Sequence, residues 1–197
     1  MTANAVETKS VGKNYWQEGE IVVFPLDSDQ STYAQMLGTS HLRFFDLFFR
    51  SGHEKGADLN HVAILFTVPV LAIAKKGTKP KVVKNGVVPS AKPLETTFIY
   101  PKMSFGRNSV PWLGGSLVDM TGIQGSGGWN APVIKEDLNP SLDRSIILTN
   151  ELVNMWSPED LINRLMRFKE SGVNVDQLKY KIFPDLKVIE TPDDHFR

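Results

Sequence analysis

The sequence predicts a mainly β fold (α+β): a bent antiparallel sheet or partly open barrel with a C-terminal helix packed on it. Three observations carry that expectation. Short apolar runs separated by turn clusters fill the stretch from Tyr15 to Arg50, a second apolar run rich in β-branched residues covers 62–74, and one well-capped helical pattern stands near the C-terminus. Successive short strands with turns between them favour antiparallel pairing.

Between Tyr15 and Arg50 the apolar runs are Ile21 to Leu26, Tyr33 to Leu37 and Leu42 to Phe49, broken by DSDQS and GTS. Asp, Ser and Gly form turns because their side chains bond the local backbone or because they tolerate positive φ. Three strands are therefore expected here. The run VAILFTVPVLAIA carries no charge but has only 13 residues, short of the roughly 20 that a membrane-spanning helix needs. Proline lacks the amide donor and clashes with a preceding helical turn, whereas a strand accepts it at an edge or bulge. The run thus predicts two buried strands, or one long strand bent at Pro69.

Further along, TTFIYPKMSFG (96–106) predicts a strand ending near Pro101, and the apolar start of RSIILTNELVNMW predicts another at Ser145 to Leu148. Ser157-Pro158-Glu159-Asp160 then opens a helix over about 158–170. The serine hydroxyl can accept from a free first-turn amide, proline suits the first helical position, and the acids complement the dipole. Leu161, Ile162, Leu165, Met166 and Phe168 form its apolar face, with Arg164, Arg167 and Lys169 on the rest, and Ser171-Gly172 supplies a left-handed stop. The segment VDQLKYKIF is expected to add a half-turn and a strand.

Length, 197 residues, suits a single domain with a real core. Within it, 1–14 reads as a flexible N-terminus, 75–95 and 122–132 as loop-rich insertions, and 187–197 as a polar tail. The hydrophobic fraction of 41% and charged fraction of 22% are those of a soluble globular protein. No cysteine is present, which removes disulfides, thiolate nucleophiles and Cys-ligated zinc. The N-terminal stretch lacks the apolar core of a signal peptide, so the cytoplasm is the expected location.

Net charge is zero, but it is unevenly distributed: residues 75–107 hold 8 basic and 1 acidic side chains. That stretch, rich in Lys, Pro and Gly, reads as a solvated loop or a lightly paired hairpin around Asn85-Gly86. Its lysines could touch phosphates, but no aromatic residues interleave with them to stack bases. Nucleic acid is not the expected partner, and neither is a membrane.

Catalytic templates fail one by one. Gly125-Ser126-Gly127-Gly128 is followed by Trp129-Asn130-Ala131-Pro132 rather than by a helix with Lys-Ser or Lys-Thr, so neither the P-loop nor GxGxxG applies. HEKGADLNH places His53, Glu54, Asp58 and His61 close together without the HExxH spacing of a zinc helix. Asp46 stands among Phe44, Phe45, Leu47, Phe48 and Phe49; buried there it would have a raised pKa suited to a general acid, and on the wet face it would simply be solvated. No cofactor and no enzymatic activity are expected.

GEIVVFPLDSDQSTYAQMLGTSHLRFFDLFF resembles the opening of the immunity protein 26 family of bacterial polymorphic toxin systems. The matching positions are Gly19 and Glu20, Pro25 and Leu26, Tyr33, and Phe45-Asp46. The later run VAILFTVPVL falls where such proteins place a further strand. The resemblance implies a cytoplasmic protein that binds a cognate protein toxin and neutralises it by stoichiometric occlusion. Its contact residues do not follow from the shared motifs, which are structural.

On chemistry alone, the candidate partner contacts are Asp27 and Asp29 in the acidic turn, as a complement to a basic toxin, and Trp129 as an exposed anchor. A monomer or small homo-oligomer is expected. Two alternatives stand beside this reading: a phage or secretion-apparatus assembly protein, and a metal-dependent hydrolase built on Asp46, Asp58 and His61.

Overall fold

The computed structural model describes residues 7–12, 15–53, 58–74, 76, 80–84, 95–103, 112–123 and 130–186. Its larger sheet contains β1 (Thr8–Ser10), β2 (Ile21–Pro25), β3 (Gln30–Leu37), β4 (His41–Arg50), β5 (Ile64–Pro69) and β6 (Lys81–Val83), in the antiparallel order β1-β6-β2-β3-β4-β5. A smaller antiparallel sheet holds β7 (Thr97–Met103), β8 (Trp112–Asp119) and β9 (Val133–Lys135), in that order. The protein is thus mainly β, built on two open sheets rather than a closed barrel.

The three strands expected between Tyr15 and Arg50 are present as β2, β3 and β4. Asp27 Oδ1 accepts from the backbone N–H of Asp29 (2.7 Å) and Gln30 (2.8 Å), which closes the first turn. β3 is central and covered on both faces, so it reads as a nearly continuous buried run. On one face Ala34, Met36, Leu42, Phe44, Phe66 and Val68 form a core with Phe24. On the other Ile21, Val23, Tyr33 and Phe45 pack with Leu59. Register shifts at Thr32/Ala34 and Phe44/Phe45 mark irregularities in β3 and β4.

Two segments expected to be irregular contribute strands. β1 lies within the stretch read as a flexible N-terminus, and β6 lies within the basic insertion. They pair with each other, and β6 also pairs with β2. Both are three residues long, too short for alternation to stand out. Asn85-Gly86, most of 122–132 and the tail from 187 lie outside the described residues. The apolar run at 62–74 forms one strand, β5, which stops at Pro69 and is followed by a single bridge from Val70 to Trp156.

β7 continues past Pro101 to Met103, and the proline sits beside a register shift, where the missing donor is tolerated. β8 runs through Gly114-Gly115. A Cβ on Gly115 would lie 2.9 Å from Ile99 Cγ2 and from the Tyr100 carbonyl oxygen, and 3.3 Å from Phe183. Glycine here lets Phe183 close against the sheet.

Three helices follow. α1 (Arg144–Thr149) replaces the strand expected at Ser145 to Leu148. Asn139 Oδ1 accepts from Ser141 and Leu142 N–H, and at the far end Thr149 Oγ1 and Asn150 Nδ2 donate to the carbonyls of Ser145 and Ile146. Those local bonds outweigh the β preference of Ile146-Ile147. α2 (Pro158–Ser171) matches the expected helix: Ser157 Oγ accepts from Asp160 N–H at 3.1 Å, and Gly172 at φ 70° ends it. α3 (Gln177–Ile182), capped by Asp176, takes the place of the expected half-turn and strand.

Leu161 and Leu165 of α2 complete the core of the larger sheet, while Ile182 and Phe183 join Ile99, Leu117, Ile147 and Leu152 against the smaller one. The segment Glu151 to Trp156 ties the two sheets together. Ile99 N–H donates to Glu151 O and Val153 N–H to Ile99 O, then Trp156 N–H donates to Pro69 O and Leu71 N–H to Trp156 O. Its bridges to β7 and to Val70 are both parallel.

Candidate functional site

Four ionisable side chains meet where this connecting segment, α2 and α3 converge. Arg164, 2% exposed, donates from both terminal nitrogens to Glu151, each at 2.8 Å, and from Nε to Asn174 Oδ1 at 2.8 Å. Asn174 in turn donates to Leu65 O at 3.0 Å. The guanidinium lies 3.9 Å from the Phe66 ring centre and 5.1 Å from that of Trp156. Such a bidentate pair is among the stronger polar contacts a protein makes. The apolar spacing placed Arg164 on the helix's remaining face; it turns inward because Glu151 and Asn174 satisfy its donors.

Asp176 and Lys179, 3% and 4% exposed, complete the group. Burial pushes the Glu151 carboxyl up, but the charges of Arg164 and Lys179 outweigh it and hold the group below the usual range. Burial likewise lowers Arg164, and the Glu151 charge more than restores it. For Asp176 burial wins, assisted by the Glu151 charge, and its carboxyl is raised despite Arg164, Lys179 and the Leu178 N–H. Lys179 is lowered by burial against the pull of Glu151 and Asp176. The group is charge-balanced, but each member ionises at the others' discretion.

Hollows flank this group. One of about 290 Å³ has Asn154, Trp156, Asp160, Arg167, Asp176 and Lys181 in its wall. Another, about 360 Å³, lies between β5 and β7 and includes Thr67, Glu95, Thr97, Asn150, Glu151 and Asn174. Buried polar atoms without a hydrogen-bond partner among the described residues include Asn154 Oδ1, Trp156 Nε1 and Asp176 Oδ2, all from residues of the first hollow. None of these residues belongs to a motif with a recognisable spacing. Periodicity gave no signal for the site, since it set Arg164 outside the apolar face of α2.

The family comparison matches residues 11–188, a span that takes in all three helices and every strand except β1. The chain belongs to the family described as Domain of unknown function (DUF8309). No curated protein and no solved structure matches it.

Within that shared span the residues singled out by sequence fall in separate places. Asp27 and Asp29 are exposed on the β2–β3 turn. Asp29 also borders a third hollow, about 360 Å³, together with Gln30, Phe48, Phe49, Arg50 and Lys169. Phe48 stacks on Phe168 at 6.2 Å and Phe49 packs on Tyr33 at 4.5 Å, so both rings are fixed from behind. Lys169 donates to Gln30 Oε1, tying α2 to the turn. Trp129 lies outside the described residues, as does Glu54.

Asp46 is exposed, with its backbone N–H on Ala63 O at 2.9 Å, so the wet-face reading holds and the buried general acid does not. Asp58 and His61 approach to 3.2 Å at the surface. Asp58 is lowered by its hydrogen bonds from the Asn60 backbone and side chain. Among the described residues no group of three His, Asp or Glu side chains is placed to share a metal ion, and no helix is long and apolar enough to cross a membrane.

Proposed function

We propose that this protein is an immunity protein that binds a cognate protein toxin in the cytoplasm and neutralises it by covering its active surface, one to one and without catalysis. The observation that carries this reading is the hollow beside the β2–β3 turn. Asp29, Arg50 and Lys169 give it a charged rim, and Phe48 and Phe49 give it rings held rigid by Phe168 and Tyr33. Aromatic side chains and arginine dominate the binding energy of protein interfaces, and charges at the rim steer the encounter. The resemblance to the immunity protein 26 family supports the same reading. Its motif residues sit within and beside the β2–β3–β4 meander that presents this hollow, with Gly19 at φ 88°, Tyr33 and Phe45 buried, and Pro25 closing β2.

The test is co-expression with a toxin encoded beside this chain. Rescue of growth and a one-to-one complex are expected, and paired Arg50→Glu and Lys169→Glu substitutions should weaken that complex by about 10-fold or more. Toxicity without rescue, or a complex indifferent to both substitutions, would overturn the proposal. An assembly protein is the second reading, favoured by exposed Val133 and Ile134 on β9, an end strand of the smaller sheet. It predicts a homo-oligomer that forms without any toxin.

A further inference from the structure

β5 is shorter than the strand it covers. It pairs with β4 only as far as Phe45, and the next residue, Asp46, gives its N–H to Ala63 O. β4 runs on to Arg50 with β3 on its other side, where Phe48, Phe49 and Arg50 stand opposite Thr32, Ser31 and Gln30. Backbone groups of successive residues alternate between the two sides of a strand. Phe45 O and Leu47 O both accept from Thr32 Oγ1, and Ser51 N–H donates to Asp29 O, so the odd-numbered residues face β3. Phe48 and Arg50 therefore turn outward, like Asp46, onto an edge where no strand lies among the described residues. Arg50 O accepts from His53 N–H. Phe48 N–H, Phe48 O and Arg50 N–H remain, facing a notch that spans Leu47 to Arg50.

A row of bare donors and acceptors recognises an extended backbone, and side-chain pairs across the new ladder decide which sequence enters. An incoming strand is antiparallel, as every ladder in both sheets is. On one face it meets Arg50 and Phe48, whose ring is backed by Phe168. On the other it meets Leu47 and Phe49, which lie against Tyr33 and Phe45. Arg50 and Lys169 outnumber Asp29 around the adjoining hollow, so an acid suits the position opposite Arg50. Asp46, exposed on the same face as Phe48, repels an acid at the inner end and fixes the direction. We propose that the bare end of β4 takes up an extended segment of a partner protein, an acidic residue followed by three apolar ones. That the partner is the toxin rests on the immunity reading; the edge and its preferred sequence do not.

The test uses the full ¹⁵N-labelled chain. Without any partner, the Phe48 and Arg50 amides should exchange with solvent about tenfold or more faster than Phe49 N–H, which faces β3. A peptide carrying Glu-Val-Tyr-Val between Gly-Ser flanks should then shift and protect those two amides, with a Kd of ~1 mM or tighter. Lysine in place of its glutamate should weaken binding about fivefold. Arg50→Glu, a change at an exposed side chain, should reverse the order of the two peptides. A Phe48 amide as slow as that of Phe49 in the free chain overturns the proposal. So do amides unmoved by the peptide, or equal binding of the glutamate and lysine peptides. If co-expression rescues growth and Phe48 still exchanges freely in the purified complex, the immunity reading stands and this inference falls. If the peptide binds as expected and no toxin is neutralised, the edge site stands without that reading.

Discussion

Arg164 and Glu151 lock the two sheets to each other: α2 of the larger sheet supplies the guanidinium, the segment paired to β7 supplies the carboxylate, and both arms of the pair measure 2.8 Å. Removing one partner strands a charge that water cannot reach, so Arg164→Ala or Glu151→Ala should cost about 3–5 kcal/mol in urea unfolding. A double replacement by apolar residues of similar volume, Arg164→Met with Glu151→Leu, should cost far less than the sum of the single changes. Equal and additive losses would mean that the pair contributes packing alone.

Asp176 gives a pH signature of definite sign. Its folded pKa lies above the ordinary aspartate value, so its contribution to stability is complete below that ordinary value and is lost as pH rises through the raised one. Asp176→Asn does not titrate and still caps α3. Melting curves of the two proteins should diverge in favour of the variant as pH climbs from the aspartate range toward neutrality. Glu151, held low by Arg164 and Lys179 against burial, acts in the opposite sense. Its stabilisation is present above the ordinary glutamate value and disappears as pH falls through the depressed one.

Gly115→Ala should destabilise the chain by about 1–3 kcal/mol, because the added methyl meets the Tyr100 carbonyl oxygen and Ile99 before it meets the ring of Phe183. The same substitution paired with Phe183→Leu should recover little, since the nearest obstacle is backbone. Guanidinium unfolding of both variants distinguishes the two contacts.

Ser157→Ala removes the side-chain acceptor for Asp160 N–H and should cost about 1 kcal/mol. Ser157→Asn should retain most of that stability. Thermal melts of the three proteins suffice to rank them.

Patterns within a few residues of each other were legible in the sequence. The Ser157 cap with Pro158, the Gly172 stop and the Asp27-Ser28-Asp29 turn all rest on local backbone chemistry, and α2 and the β2–β3–β4 meander follow from them. What escaped depends on distant partners. β1 and β6 are strands because each has the other, and β8 hides its glycines against α3. The inward turn of Arg164 needs Glu151 and Asn174, which periodicity cannot supply. Around the first hollow, Asn154, Trp156, Asp160, Arg167, Asp176 and Lys181 come from three successive elements without any motif spacing, so only packing reveals that they converge.

The connecting segment has a consequence for biogenesis. As the chain leaves the ribosome, β5 and β7 emerge with their outer edges bare, and each waits for residues after Asn150 before Glu151, Val153 and Trp156 can cap it. Bare strand edges recruit other chains. A nascent or cleaved fragment ending ahead of Glu151 should therefore be a client of chaperones or an aggregate, even though the larger sheet has been synthesised in full.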